Sequence, residues 1–221
     1  MAEILEDEKK IILKIVYYGP ALSGKTTNLM QLHELIHPGQ CGDLMSLETR
    51  GDRTLFFDLL PILTRTEGDY RVKIKLFTVP GQVAHDATRK AVLSRADGVV
   101  FVADSQITQA VNNFQSFENL EKNAGRIGLD FNRLPLVVQF NKRDLPDIQS
   151  EEEILTRWGP AKLPVTFATA LKSKGVQTTF EAILSATYRH LDAQHDLEQR
   201  YQIMERNLLS ILPSSPETVN R

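Results

Sequence analysis

Ile11-Ile12-Leu13-Lys14-Ile15-Val16-Tyr17-Tyr18 runs directly into Gly19-Pro20-Ala21-Leu22-Ser23-Gly24-Lys25-Thr26, and the junction decides the fold. The first half is an apolar, β-branched run of strand length. The second half reads G-x-x-x-x-G-K-[ST], and Asn28-Leu29-Met30-Gln31-Leu32 after it favours helix. A polyphosphate carries several negative charges and needs many donors at short range. Glycines let a backbone curl with its N–H groups inward, and the helix that follows adds its positive end. In this pattern residues Gly19 to Thr27 line the phosphates, Lys25 reaches the β- and γ-oxygens, and the Thr26 hydroxyl meets a magnesium ion.

Leu134-Pro135-Leu136-Val137-Val138-Gln139-Phe140 is a second buried-strand run, and it ends in Asn141-Lys142-Arg143-Asp144. A guanine base presents a ring N–H and an exocyclic amine side by side. The Asp144 carboxylate can accept both, while adenine would set an acceptor against it. Asn141 can bond the other edge of the base and brace the phosphate loop, and the Lys142 stem can lie over the ring.

A phosphate loop followed in this order by N-K-x-D resembles the Ras-like small GTPases. The resemblance covers about residues 10–192. Phe77-Thr78-Val79-Pro80-Gly81-Gln82 closes the strand Arg71–Leu76 and stands where the family has D-x-x-G-Q. The resemblance implies that the Gly81 N–H meets the γ-phosphate and that Gln82 orients the attacking water. The family's aspartate at the first position is Thr78 here, a hydroxyl that reaches a magnesium-bound water without bringing charge. Gly51-Asp52-Arg53-Thr54-Leu55-Phe56-Phe57-Asp58 falls in the place of the first switch. Thr54 is the leading candidate for magnesium and the γ-phosphate, with Thr49 as competitor. Arg53 either supplies a cationic finger from the same chain or is a solvated arginine of the loop, and the sequence leaves both open. Thr169-Ala170-Leu171 matches the family's S-A-[KL] loop, whose alanine N–H meets the guanine oxygen.

Within the family, the T-V-P-G-Q loop and the G-D-R-T-L-F-F-D segment are most similar to the MglA branch of bacterial polarity and motility switches. That similarity implies a cytoplasmic GDP/GTP switch needing Mg2+, with effectors that place it at a cell pole. It also implies an exchange factor and a small roadblock-type activating protein. Ala21 stands where many relatives carry glycine, facing the water and the glutamine, so slow intrinsic hydrolysis is expected. A GTP-binding adaptor that does not hydrolyse is the competing reading. A nucleotide kinase is disfavoured by the base motif and by the lack of a recognisable acceptor lid.

The 221 residues suit one substantial core, and a formal net charge of -2 gives no electrostatic reason to expect nucleic acid or an anionic membrane as a general partner. A single cysteine, Cys41, allows no internal disulfide and fits a reducing compartment. Met1–Lys10 lacks the apolar core of a signal peptide, and the C-terminal Thr218-Val219-Asn220-Arg221 offers no cysteine for a lipid anchor. Partners would then mediate any membrane or pole contact, and the free protein is expected to be monomeric. The five histidines show no zinc-ligand spacing.

Strands are expected near 10–18, 54–60, 71–79, 97–103, 134–140 and 163–168, and helices near 25–36, 83–95, 108–128, 150–158 and 175–192. The segment around Phe56-Phe57 also reads as a helical turn. The alternation implies an α/β fold, a three-layer P-loop G domain with a mostly parallel six-stranded sheet and helices on both faces. A tail over 1–9 precedes it. Leu197, Tyr201, Met204, Leu208, Ile211 and Leu212 recur at helical spacing, so 193–212 reads as one amphipathic helix that packs on its own domain or on a partner. Residues 213–221 read as a disordered tail. Gln115–Leu120 reads as an ordinary amphipathic surface, and Trp158 as core or rim packing.

Overall fold

The computed structural model describes residues 2–48, 56–66, 68–81 and 85–213. Its centre is β2 (Lys10–Tyr18), flanked by β5 (Arg71–Thr78) and β6 (Gly98–Asp104), with β7 (Leu136–Asn141) and β8 (Val165–Phe167) continuing the sheet beyond β6. These five strands are parallel. Beyond β5 lie β4 (Phe56–Arg65) and β3 (Met45–Glu48), both in antiparallel pairing.

The sheet has eight strands rather than six, and both additions have a local cause. Glu3–Leu5 forms β1, antiparallel to the start of β2, so the stretch read as a tail over 1–9 enters the sheet. It fills the edge of β2 that β6 leaves unpaired, because β6 joins β2 only from Ile15 onward. The other addition is β3, whose Met45 lies opposite Leu59 of β4. β4 also runs past the expected end at residue 60, through Pro61. The carbonyl of Pro61 accepts from the Gly42 N–H, so the side of the strand that lacks a proline donor faces that edge and not β5.

Burial along β2 explains its sequence. Ile11, Leu13 and Ile15 are buried while Lys10, Ile12 and Lys14 are only half-covered, and from Ile15 to Tyr18 every residue is buried. One face is covered throughout and the other only toward the C-terminal end. β6 is buried at all seven positions, as a strand covered on both sides must be.

Two apolar clusters fill the outer layers. One joins Ile11, Leu13, Ile15, Ile62 and Ile74 of the sheet to α1 (Lys25–Leu35) and α5 (Val176–His195). The other joins Val16, Val99, Phe101 and Val138 to α2 (Asp86–Leu93), α3 (Ala110–Arg126) and α4 (Glu151–Trp158). Trp158 packs here, edge-on to Phe117 at 4.8 Å. Ser150 starts α4 through a reciprocal capping box with Glu153.

The stretch 193–212 is not one helix. Asp196 and Gln202 both take left-handed backbone, at φ 53° and 54°, and divide it into α6 (Leu197–Tyr201) and α7 (Glu205–Leu209). The apolar spacing survives the break because both pieces turn inward. Leu197, Tyr201, Leu208, Ile211 and Leu212 all join the first cluster, and the Tyr201 hydroxyl donates to Glu6 at 2.8 Å. The stripe therefore packs on its own domain. Residues 214–221 of the expected tail lie outside the described residues.

Candidate functional site

The loop between β2 and α1 is shaped by two glycines. Gly19 has φ 145°, and a Cβ there would lie 2.2 Å from the Val102 carbonyl oxygen of β6. Gly24 has φ 98°, and a Cβ there would lie 2.2 Å from Asn141 Nδ2. Either substitution would drive the loop off its neighbour. Helix α1 then begins at Lys25 with Gly24 as its N-cap and no side-chain cap. No acidic residue occupies its first turn. Its leading N–H groups and positive end are left for a ligand to satisfy.

Lys25 is buried, and its ammonium folds across the loop to donate to the Gly19 carbonyl at 3.1 Å and to Pro20 at 2.6 Å. Desolvation pulls its pKa down to about 7, the nearby Arg89 guanidinium adds to the fall, and Asp58 partly opposes it. A buried ammonium whose bonded acceptors among the described residues are carbonyls is poised to gain from an incoming anion. The loop opens into a cavity of about 710 Å³ lined by Ala21, Lys25, Thr26, Asp58, Thr78 and Gly81, among others. His85, half-buried, also lines it.

Asp58 is the residue that sequence reading missed. Its Oδ2 accepts from Thr26 Oγ1 at 2.6 Å and from Thr78 Oγ1 at 2.9 Å, and its Oδ1 accepts from Ser46 Oγ at 2.8 Å. The Asp58 N–H also donates to Thr78 Oγ1 at 2.9 Å. The pairing register accounts for the contact: Leu59 lies opposite Phe77, so the next step along β4 brings Asp58 to Thr78. The carboxylate missing from position 78 is thus supplied across the sheet.

These donors suit a hard cation. Among the described residues no cluster of three or more His, Cys, Asp or Glu side chains gathers as for zinc. What stands here is one carboxylate among hydroxyl oxygens beside a phosphate loop, the donor set magnesium takes when phosphates complete its shell. Thr26, Asp58 and Thr78 would hold it directly or through water. Bound there, the ion would neutralise phosphate charge.

The base loop is wired to the phosphate loop by Asn141, which is buried. Its Nδ2 donates to the Ser23 carbonyl at 2.9 Å, and its Oδ1 accepts from the Ala170 N–H at 2.9 Å. The N–H that the family resemblance assigns to the guanine oxygen is here given to Asn141. Thr169, buried, anchors that turn through an N–H bond to the Lys174 carbonyl. Lys142 takes a left-handed φ of 66°, and its ammonium pairs with Asp104 of β6 at 2.7 Å. Asp144 is exposed, and a hydrogen bond from Lys172 holds its carboxyl below the usual range. A second cavity of about 200 Å³ lies beside Asn141, Lys142, Asp144 and Leu171, and it shares Leu22, Gly24 and Thr27 with the first. The two lie on either side of Leu22, Gly24 and Thr27, the first with the Lys25 cation and the second with the Asp144 acceptor.

Gly81 lies against the phosphate loop, since a Cβ there would come within 2.2 Å of Ala21 Cα. Thr49, Arg53, Thr54 and Gln82 lie outside the described residues.

A phosphate loop after the central strand, a base loop two strands away and a mostly parallel sheet covered on both faces define a P-loop nucleotide-binding domain of the Ras-like GTPase class. No family model matches the chain. Mutual gliding-motility protein MglA of Myxococcus xanthus (strain DK1622) is 44% identical to it over 183 residues, which are 83% of this chain and 94% of that protein. The chain belongs to the MglA family. No helix among the described residues is long and apolar enough to cross a membrane.

Proposed function

We propose that this chain is a guanine-nucleotide switch that alternates between GDP and GTP states and recruits effectors in cell polarity or motility. One observation carries the reading: Asn141 ties Ser23 of the phosphate loop to Ala170 of the base loop, so one cleft offers donors to phosphates and the Asp144 acceptor to a purine. Asp58 supports a magnesium requirement by supplying the charge that Thr78 lacks. In this reading Lys25 and magnesium stabilise charge on the γ-phosphate, Gln82 orients water, and Arg53 is available as a finger from the same chain. A roadblock-type activating protein accelerates hydrolysis, an exchange factor reloads the site, and effectors bring a cytoplasmic protein to a pole.

A GTP-binding adaptor is the second reading, and the crowding at Ala21 is what favours it. The Ala21 methyl stands 2.9 Å from where a Cβ on Gly81 would sit, so the phosphate loop and the Pro80–Gly81 turn are closely packed there. Single-turnover hydrolysis of GTP with and without a roadblock-type activating protein separates the two. The switch reading expects slow turnover that the partner accelerates and that Gln82→Leu abolishes while binding persists. No turnover in either condition leaves the adaptor.

A further inference from the structure

Among the described residues Arg89 is the largest side chain that is fully buried. Burying a guanidinium costs several kcal/mol unless its donors are satisfied, so its partners identify what it holds. Its Nε donates to the Pro80 carbonyl at 2.9 Å, its Nη2 to the Gly81 carbonyl, and its Nη1 to Asn119 Oδ1 at 2.7 Å. The guanidinium also lies over the Tyr18 ring, 5.2 Å from its centroid. Among the described residues no carboxylate touches it. Asp86, one turn before Arg89, is bound instead by Asn119, Asn123, Lys90 and Arg126.

Every peptide bond described is trans, so the Pro80 carbonyl and the Gly81 N–H point in opposite directions from one rigid plane. Whatever grips that carbonyl aims that N–H. Arg89 grips the Gly81 carbonyl as well, and so holds Gly81 from both sides. Gly81 rests on Ala21 of the phosphate loop. The far end of the guanidinium is anchored on α3 through Asn119, whose Oδ1 also accepts from the Tyr18 hydroxyl at 2.5 Å. Tyr18 directly precedes Gly19. One buried cation therefore joins the start of the phosphate loop, the Pro80–Gly81 turn and α3.

We propose that Arg89, anchored by Asn119, is a positioning residue that aims the Gly81 peptide at the γ-phosphate and so sets the preference for GTP over GDP. The inference rests on the guanine-nucleotide reading above. GDP has no γ-phosphate and makes no use of that N–H. Lysine lacks the planar fork whose spaced nitrogens let one side chain reach both carbonyls and the distant amide. A role in stability alone would weaken both nucleotides together.

The test is the ratio of GTP to GDP affinity, read by displacement of fluorescent GDP with GDP and with a non-hydrolysable GTP analogue in magnesium. Arg89→Lys is expected to lower that ratio about tenfold, the loss of one or two charge-assisted bonds, with GDP affinity nearly unchanged. An unchanged ratio, or equal losses for both nucleotides, overturns the proposal. Should Arg89→Lys fail to fold, Asn119→Ala decides it, because Asn119 is only half-buried. The expected drop is then about threefold, the worth of one hydrogen bond, and no drop overturns the proposal. Parent protein that binds neither nucleotide would sink the functional reading. A parent that binds both, with ratios unmoved in the variants, would sink this inference alone.

Discussion

The two ends of the cleft are built differently. The phosphate and base loops are held by main chain and close approach: Gly19 against Val102, Gly24 against Asn141, and Asn141 bridging Ser23 and Ala170. The metal and γ-phosphate end is held by side chains from separate strands and helices, with Asp58 from β4, Thr78 from β5 and Arg89 from α2. The first end has its shape in local backbone geometry. The second depends on how strands register and how a helix packs, so under the proposed switch it is the end that a change of nucleotide would rearrange. A switch of that kind would need both, a grip that stays and a sensor that shifts.

The sharpest way to break this contrast is at the grip. Asp144→Asn replaces two acceptors with a mixed pair, and GDP affinity is expected to fall about 100-fold while xanthosine diphosphate gains. Competition titration with the two nucleotides reads it, and equal affinities in variant and parent would remove Asp144 from the base pocket. The variant should leave the magnesium dependence of binding unchanged, because Asp144 lies at the other end.

Proton linkage comes next in size. With its pKa pulled down to about 7, Lys25 is expected to regain its charge beneath a bound polyphosphate, so binding above pH 7 is expected to take up a proton. GDP affinity should weaken as pH rises from 7.5 to 8.5, approaching tenfold. Calorimetry at pH 8.5 in two buffers of different ionisation enthalpy should show about one proton taken up. An uptake of zero would mean that Lys25 is already charged in the free site.

The smallest effect sharpens the sensor end. Asp58→Asn keeps the size of the side chain and removes its charge. Apparent magnesium affinity in the nucleotide complex should fall about fivefold, while GDP binding in excess chelator is unchanged. A loss that appears equally in chelator would make Asp58 a packing residue of β4 and not part of the metal site.

How much of this was legible in the sequence follows the same division. Gly19–Thr26 and Asn141–Asp144 are contiguous, and each motif carries its own strand before it, so both loops could be set at strand ends from the sequence. Asp58 could not. It sits in the run Phe56-Phe57-Asp58-Leu59-Leu60, and its meaning appears only when the register sets it opposite Thr78. A lone carboxylate within an apolar strand was the one available signal. Arg89 gave less, because a cation on an amphipathic helix ordinarily faces water, and Asn119 sits in the stretch read as plain surface.

At the C-terminus the spacing of Leu197, Tyr201, Leu208 and Ile211 correctly marked a buried face. It could not reveal that Asp196 and Gln202 turn left-handed and break the helix, since neither is glycine. β1 was missed because three residues carry too little periodicity to read, and it forms only where β6 leaves an edge of β2 open.

The central claim is that one cleft holds a purine at Asp144 and its phosphates at Lys25. Isothermal calorimetry of the folded chain with GDP, GTP and ADP in magnesium tests it most directly. The account expects one molecule of GDP or of GTP bound per chain and no measurable heat with ADP. Well-folded protein that binds neither guanine nucleotide, or that binds ADP equally well, would contradict it.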